Sequence, residues 1–269
     1  MLILSNDQIK FSSNISVTSN VAGYPVTNIQ VDKKSSTWRS VNANSQTFVV
    51  TWPSSAVVNF AGIAHHNFES NTIVRLKYYQ TASNVAPIYD SGDVSVGTVF
   101  DPPNGFATNS GNSFAYGGGN YWAKQTPEHS VEKLEIDFSN GTPDGFYEVA
   151  RIVCGDAKTL KYDPDIGLNT NFIDQSESVR TEAGDSIVNI LPSHKEMNFN
   201  FGYLEKDDRQ TLINLFRRVG SKYPAFISVN GYRDDSIDKS LMIYGRLNDN
   251  DLSLNQKYSS STSIKVNEY

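Results

Sequence analysis

The side chains able to do acid–base, metal or nucleophilic chemistry are four histidines, 29 carboxylates and one cysteine. His65 and His66 close an apolar run. Neighbours on a strand point to opposite faces, so the pair does not converge on one metal, and His129 and His194 stand alone. Cys154 sits in Val149–Gly155, VARIVCG, where a small core residue is expected rather than a nucleophile. A lone cysteine also excludes an intrachain disulfide framework. Asp207 and Asp208 read as charges at a helix start, and Asp234–Asp235 and Asp249–Asn250–Asp251 as turns. Asp163–Pro164–Asp165 offers oxygens, but no twelve-residue calcium loop follows. A glycosidase needs two carboxylates facing each other across a cleft, and nothing in the sequence singles out a pair. Gly117–Gly118–Gly119 lacks the Lys-Ser/Thr that a phosphate loop carries. The expectation is therefore no catalytic residue, no cofactor and no metal.

The remaining chemistry is recognition. Between Phe100 and Tyr121 lies a long aperiodic stretch rich in Gly, Asn and aromatics. It reads either as a surface loop or as an arm that orders against a subunit or a sugar. Aromatic faces stack on sugar rings while polar groups bond hydroxyls. On that basis Arg39, Phe106, Phe114, Tyr116, Tyr121 and Trp122 are the candidate contacts for a ligand or partner. A sugar site would lie in loops at one end, drawn from 32–39, 79–93 and 100–121.

The elements that must position them are mostly strands. The aromatic fraction is 12%, with 14 Tyr and 14 Phe, which favours sheet. Phe48, Val50 and Trp52 alternate with polar residues, as do Val74, Leu76 and Tyr78, and later Leu134, Ile136 and Phe138. Tyr147, Val149, Arg151 and Val153 alternate, and residues 57–64 are nearly all apolar. Leu2–Leu4 and Ile15–Val17 read as edge strands or ordered loop. The one convincing helix spans about 205–219, with Leu212, Leu215, Phe216 and Val219 on one face and Gly220 ending it. Met197–Phe201 and Ala225–Val229 flank it as strands, and Ile187–Leu191 is expected to pair with Met197–Phe201 across Pro192. The fold class is mainly β: an N-terminal β-sandwich or jelly roll, then an antiparallel β module carrying one α-helix. The boundary falls near 158, giving 1–158 and 159–269. A net charge of −6 with no basic stripe argues against nucleic acid as a partner. The first residues, MLILSNDQ, make too short an apolar run for a signal peptide, and no stretch is long enough to insert in a membrane.

Two stretches resemble known families. Pro25-Val-Thr-Asn-Ile29, Thr37-Trp38, residues 47–52, Val57-Val58-Asn59 and His66-Asn67 occur in the order of the galactose-binding-like, or discoidin-like, jelly roll. That resemblance implies that Trp38 packs in the core. Downstream come Ser178-Val179-Arg180, Asp208-Arg209, Leu215-Phe216, Gly220, Tyr223-Pro224-Ala225-Phe226 and Tyr244-Gly245-Arg246. Their order resembles the C-terminal part of tail and baseplate proteins of tailed bacteriophages.

Together the resemblances imply a non-enzymatic structural protein of a phage tail tip or baseplate. It would be made in the host cytoplasm and carried in the virion. Its partners would be other tail proteins and copies of itself in a symmetric ring, with the jelly roll facing outward. The alternative is a carbohydrate-binding protein that recognises a host surface glycan, and a glycan-cleaving enzyme comes third.

Overall fold

The computed structural model describes residues 1–69, 71–96, 119–141, 145–165, 168–189, 193–229, 241–248, 255–256 and 260–268. Strands in the first half are β1 (Leu2–Leu4), β2 (Asn14–Val17), β3 (Trp38–Arg39), β4 (Gln46–His66), β5 (Ile73–Tyr79), β6 (Tyr89–Asp90), β7 (Val94–Ser95), β8 (Gly119–Ser139) and β9 (Glu148–Gly155). The second half adds β10 (Lys158–Thr159), β11 (Asn169–Asp174), β12 (Glu177–Arg180), β13 (Ser186–Asn189), β14 (Ser193–Leu204), α1 (Lys206–Arg218), β15 (Ala225–Ser228), β16 (Met242–Leu247), β17 (Asn255–Gln256) and β18 (Ser260–Glu268). Every pairing is antiparallel. The fold is mainly β with one α-helix, as the alternating patterns require. No helix among the described residues is long and apolar enough to cross a membrane.

The first sheet has the order β3-β9-β4-β8-β5-β6, with β2 on β4 and β7 on β5. Its two longest strands slip register between Thr51 and Ala56, Val58 and Phe60, and Ala64 and His66. Such bulges bend a strand pair. One core therefore collects Phe48 and Val50 from before the bend, Ala61 and Ile63 from after it, and Leu134 and Ile136 from β8. The sheet closes over itself as a β-sandwich. Trp38 is fully buried there, edge-on to Phe48 at 4.5 Å, and its Nε1 donates to the Ser19 carbonyl at 3.0 Å.

The second sheet runs β10-β1-β15-β16-β18-β14-β11, with β17 on β18. One face packs under α1: Leu212, Leu215 and Val219 meet a cluster containing Phe199, Phe201, Ile243 and Val266. The helix starts and stops where the spacing predicts, with Asp207 and Asp208 in the first turn and Arg217 and Arg218 in the last. Gly220 takes φ +49°, the left-handed stop. Asp208 does more than complement the dipole. It is buried, and its Oδ1 accepts the Lys161 amide at 3.1 Å, pinning the segment that crosses from β10.

The opposite face of the second sheet packs on the first. Leu2, Leu4, Phe226, Met242 and Tyr244 meet Phe60, Ala64, Trp122 and Val153. The back half of β4 is thus covered on both sides, which explains its uninterrupted apolar run. Two sequence expectations are corrected here. Leu2–Leu4 is neither an edge nor part of the first sheet. It lies between β10 and β15, because Met1 and Ile3 fill the helix-side core while Leu2 and Leu4 fill the inter-sheet core. This strand therefore pairs in the second sheet although it precedes the expected boundary near 158. Second, Ile187–Val188 does not pair with Met197–Phe201. β13 pairs β12, whereas β14 lies between β18 and β11, because Met197, Phe199 and Phe201 need cover that an exposed hairpin cannot supply.

Candidate functional site

Arg39 is the predicted contact that the structure places at a constructed surface. Strand β3 is two residues long and sends Trp38 inward and Arg39 outward, the period-2 consequence of pairing with β9. Arg39 stands opposite Glu148, and its Nη2 donates to Glu148 Oε2 at 2.9 Å. Thr37 Oγ1 donates to the other carboxylate oxygen at 2.6 Å. The guanidinium lies between two rings, 4.3 Å from the centroid of Tyr24 and 4.3 Å from that of Phe146. Arginine on an aromatic face gains cation–π attraction.

Backbone holds both rings in place. Tyr24 follows a turn in which its amide donates to the Val21 carbonyl at 3.0 Å, and Gly23 takes φ +87°. Asn67 brackets the other side. Its Nδ2 donates to the Phe146 carbonyl at 2.9 Å, and its Oδ1 accepts the Glu148 amide at 2.8 Å. Tyr24, Arg39, Phe146 and Glu148 are all half-buried. Arg39 Nε has no hydrogen-bond partner among the described residues. The result is a charge-balanced, half-buried stack at the surface of the first sheet.

The other candidates fall elsewhere. Tyr121 and Trp122 are buried on β8, and neighbouring residues on that strand face different cores: Tyr121 joins the sandwich core and Trp122 the inter-sheet core. Neither offers an open ring face. Phe106, Phe114 and Tyr116 lie outside the described residues, as do Asp234–Asp235 and Asp249–Asp251. Of the three loops expected to share one end, 97–118 lies outside the described residues; it is flanked by Val96, whose amide donates to the Thr72 carbonyl, and by Gly119, opposite His66. Tyr79 ends β5 at the far end, opposite Lys133. Asp32 and Lys34 face the second sheet, reaching Tyr244 and Glu268. Phe146 and Tyr24, which complete the Arg39 stack, are the residues that sequence reasoning missed. The pairing of Arg39 with Glu148 is what brings them together, and no local pattern reports it.

The histidine pair divides as strand geometry requires. His65 takes φ +57° and places Nδ1 3.7 Å from Glu268, whereas His66 Nδ1 accepts the Phe68 amide at 3.1 Å and its ring stacks on Phe68. Lys34 also approaches Glu268 at 3.7 Å, and the Lys195 amide donates to it at 2.9 Å. Burial pulls the Lys34 and Lys195 ammonium groups below the usual lysine range, against the attraction of Glu268. No group of three or more His, Cys, Asp or Glu among the described residues could hold a metal ion. An open cavity of about 430 Å³ beside Ser221, Arg246, Asn248 and Asn267 ends at the same Glu268.

A second arginine occupies the inter-sheet contact. Arg151, on the β9 face turned to the second sheet, is 1% exposed. It donates to Tyr244 Oη at 3.0 Å, to the Ile29 carbonyl and to Asp7, and lies 3.2 Å from Asp32. Tyr244 donates to Asp32 at 2.7 Å, and Lys10 pairs with Asp32. Asp7 reaches this point because the chain passes directly over Gly155, where a Cβ would stand 2.3 Å from the Asn6 carbonyl. Burial pushes the Asp7 carboxyl above its ordinary value, against the pull of Arg151 and the Cys154 and Ile9 amides.

No protein-family model matches the chain, and no curated protein matches it. Among solved structures, a GH29 fucosidase of Ruminococcus gnavus in complex with fucose matches with a TM-score of 0.42 at 11% identity, over 58% of this chain and 27% of that one. This chain therefore spans about a quarter of the fucosidase. A chitosan-binding module from the chitosanase/glucanase of Paenibacillus sp. IK-5 matches with a TM-score of 0.39 at 14% identity, over 56% of this chain and 99% of that one. A family 32 carbohydrate-binding module of C. perfringens NanJ in complex with galactose matches with a TM-score of 0.38 at 12% identity, over 54% and 93%. At these scores all three are distant likenesses of shape.

Proposed function

We propose that this chain is a non-catalytic recognition protein and that the Tyr24–Arg39–Phe146 face binds a neutral glycan. The observation that carries the reading is the half-exposed stack of two rings on one guanidinium, fixed by Glu148 and Thr37. Ring faces suit the apolar side of a sugar, and fixed polar groups suit its hydroxyls. Glu148 cancels the charge of Arg39, so an anionic sugar gains little there. A side chain already held by three neighbours loses little freedom on binding. Binding is favoured over hydrolysis because the carboxylate in the stack, Glu148, is committed to Arg39 and Thr37.

A glycan array probed with the full chain tests this, followed by calorimetry on Arg39→Ala and Tyr24→Ala. Specific binding of an uncharged glycan, lost in both variants, is the expected outcome. A blank array, or binding indifferent to both substitutions, would falsify it, and sugar release would restore the hydrolase reading.

The reading that the sequence puts first, a structural part of a phage tail tip, stands second here. Its supporting observation is the exposed β12–β13 hairpin on the second sheet's side of the molecule, a shape suited to docking. In that reading the second module docks into the tail of the virion and the first faces outward. Virions imaged with antibody to this chain would carry the label at the tail tip.

A further inference from the structure

Strands β12 and β13 form a sheet of their own, and all eight of their residues are exposed. Register places Val179 opposite Ile187 on one face and Ser178 opposite Val188 on the other. Val179 is 66% exposed, Ile187 62% and Val188 53%. A two-stranded hairpin is marginal in water by itself, and β-branched side chains favour strands mainly where they pack against neighbours. This arm has the composition of a covered element without the cover.

Charge indicates the cover. The arm carries Glu177, Glu182 and Asp185 against Arg180 alone. Residues 209–223, from mid-helix through the turn after α1, carry Arg209, Arg217, Arg218 and Lys222 and no acidic residue, in a chain of net charge −6. Arg217, Arg218 and Lys222 are exposed, and beside them Tyr223 is 56% exposed. The helix dipole accounts for two cations in the last turn. It does not account for Lys222 past the Gly220 stop, nor for an exposed tyrosine ring among them, with Lys10 Nζ 5.5 Å from its centroid.

We propose that the β12–β13 arm of one copy docks on the α1 C-terminal face of a second copy of this chain. Val179 and Ile187 cover the Tyr223 ring, and Glu182 and Asp185 meet Arg217, Arg218 and Lys222. The two surfaces differ, so the contact is head-to-tail. Such contacts generate a ring if the rotation closes and an open chain if it does not. The inference holds with or without a glycan at Arg39, which lies on the other sheet.

Sedimentation equilibrium of the full chain tests it. The wild type is expected to self-associate with rising concentration, less so at high salt because exposed ion pairs are screened. Ile187→Asp and the double variant Arg217→Glu/Arg218→Glu are each expected to stay monomeric while melting like the wild type, all three positions being exposed. Mixed in equal amounts, they should form a heterodimer, since each retains the surface the other lacks. A wild type that remains monomeric at every concentration overturns the proposal. So does association that survives either variant, and a mixture that fails to pair indicates arm-to-arm contact instead.

Discussion

Arg151 and Arg39 stand on neighbouring strands, each paired with a carboxylate, and their surroundings give them different work. Arg151 is 1% exposed and joins four parts of the chain: the first sheet, the Asp7 segment, the loop of Ile29 and Asp32, and Tyr244 of the second sheet. Arg39 keeps its partners within the loop end of the first sheet, between two half-buried rings. A buried ion must have all its neighbours supplied by the fold, so it serves the fold. A half-exposed ion keeps contact with solvent, and the proposed glycan binding rests on that property.

The largest effect expected from breaking this contrast is at Arg151→Ala. It strands Asp7 and Asp32 in the inter-sheet contact, and loss of one partner from a buried pair costs about 3–5 kcal/mol. Urea denaturation measures it, and a near-wild-type midpoint would show that the two sheets hold together without the clasp. Tyr244→Phe is milder. The Asp32 oxygen loses a donor while Arg151 keeps its carboxylates, so the cost is about 1–3 kcal/mol by the same measurement.

Asp7→Asn sharpens the comparison through pH. Arg151 retains Asp32 in this variant, so the expected cost is smaller than that of Arg151→Ala. Because burial raises the Asp7 pKa above 3.8, the folded chain holds a proton that the unfolded chain has already released. Stability therefore falls as pH rises from 3.8 through that window, and the loss is complete above the folded value. Melting curves at stepped pH should show this slope in the wild type and lack it in the Asn variant. Equal slopes would mean that Asp7 is not the group responsible.

Arg39→Ala should change stability least, by less than about 1 kcal/mol, because its ion pair is only partly shielded. The same substitution should remove glycan binding. A variant that unfolds readily would move Arg39 into the class of Arg151 and leave the stack without a ligand role.

Much of the fold was legible because periodicity reports which face a residue turns inward. The spacing of Leu212, Leu215 and Val219 located α1 to within a residue at each end. Alternation located parts of β4, β5, β8, β9 and β14, and the likeness to a galactose-binding-like jelly roll implied the buried Trp38. Periodicity does not report the partner. Leu2–Leu4 carries the same pattern on an edge or between two strands, and only the chain returning after residue 224 decides between them. Asp7 sits in Ser5-Asn6-Asp7-Gln8, which reads as a turn, and its Arg151 partner is 144 residues away. The Arg39 stack was half legible: the arginine stands beside Trp38 on a recognisable strand, whereas Phe146 arrives from the far side of the chain. Tyr121 and Trp122 misled because aromatics beside a glycine-rich stretch look exposed until Tyr121 is turned into the sandwich core and the second sheet is placed over Trp122.

The position of β1 has a consequence for how the molecule is made. Its partners in the second sheet, β10 and β15, begin at Lys158 and Ala225. A ribosome must therefore release most of the chain before Leu2 to Leu4 can gain both strand partners. Contacts this distant in sequence close slowly, since the loop entropy is lost before the contact stabilises anything. Until then Leu2 and Leu4 have only the sandwich face of Phe60, Ala64, Trp122 and Val153 to lie on, while the sandwich of residues 14–155 is free to fold ahead of the sheet they join. The first sheet is in effect an insert within the second. A cut at residue 158 would yield not two domains but one sandwich with a stray strand and one sheet with a gap.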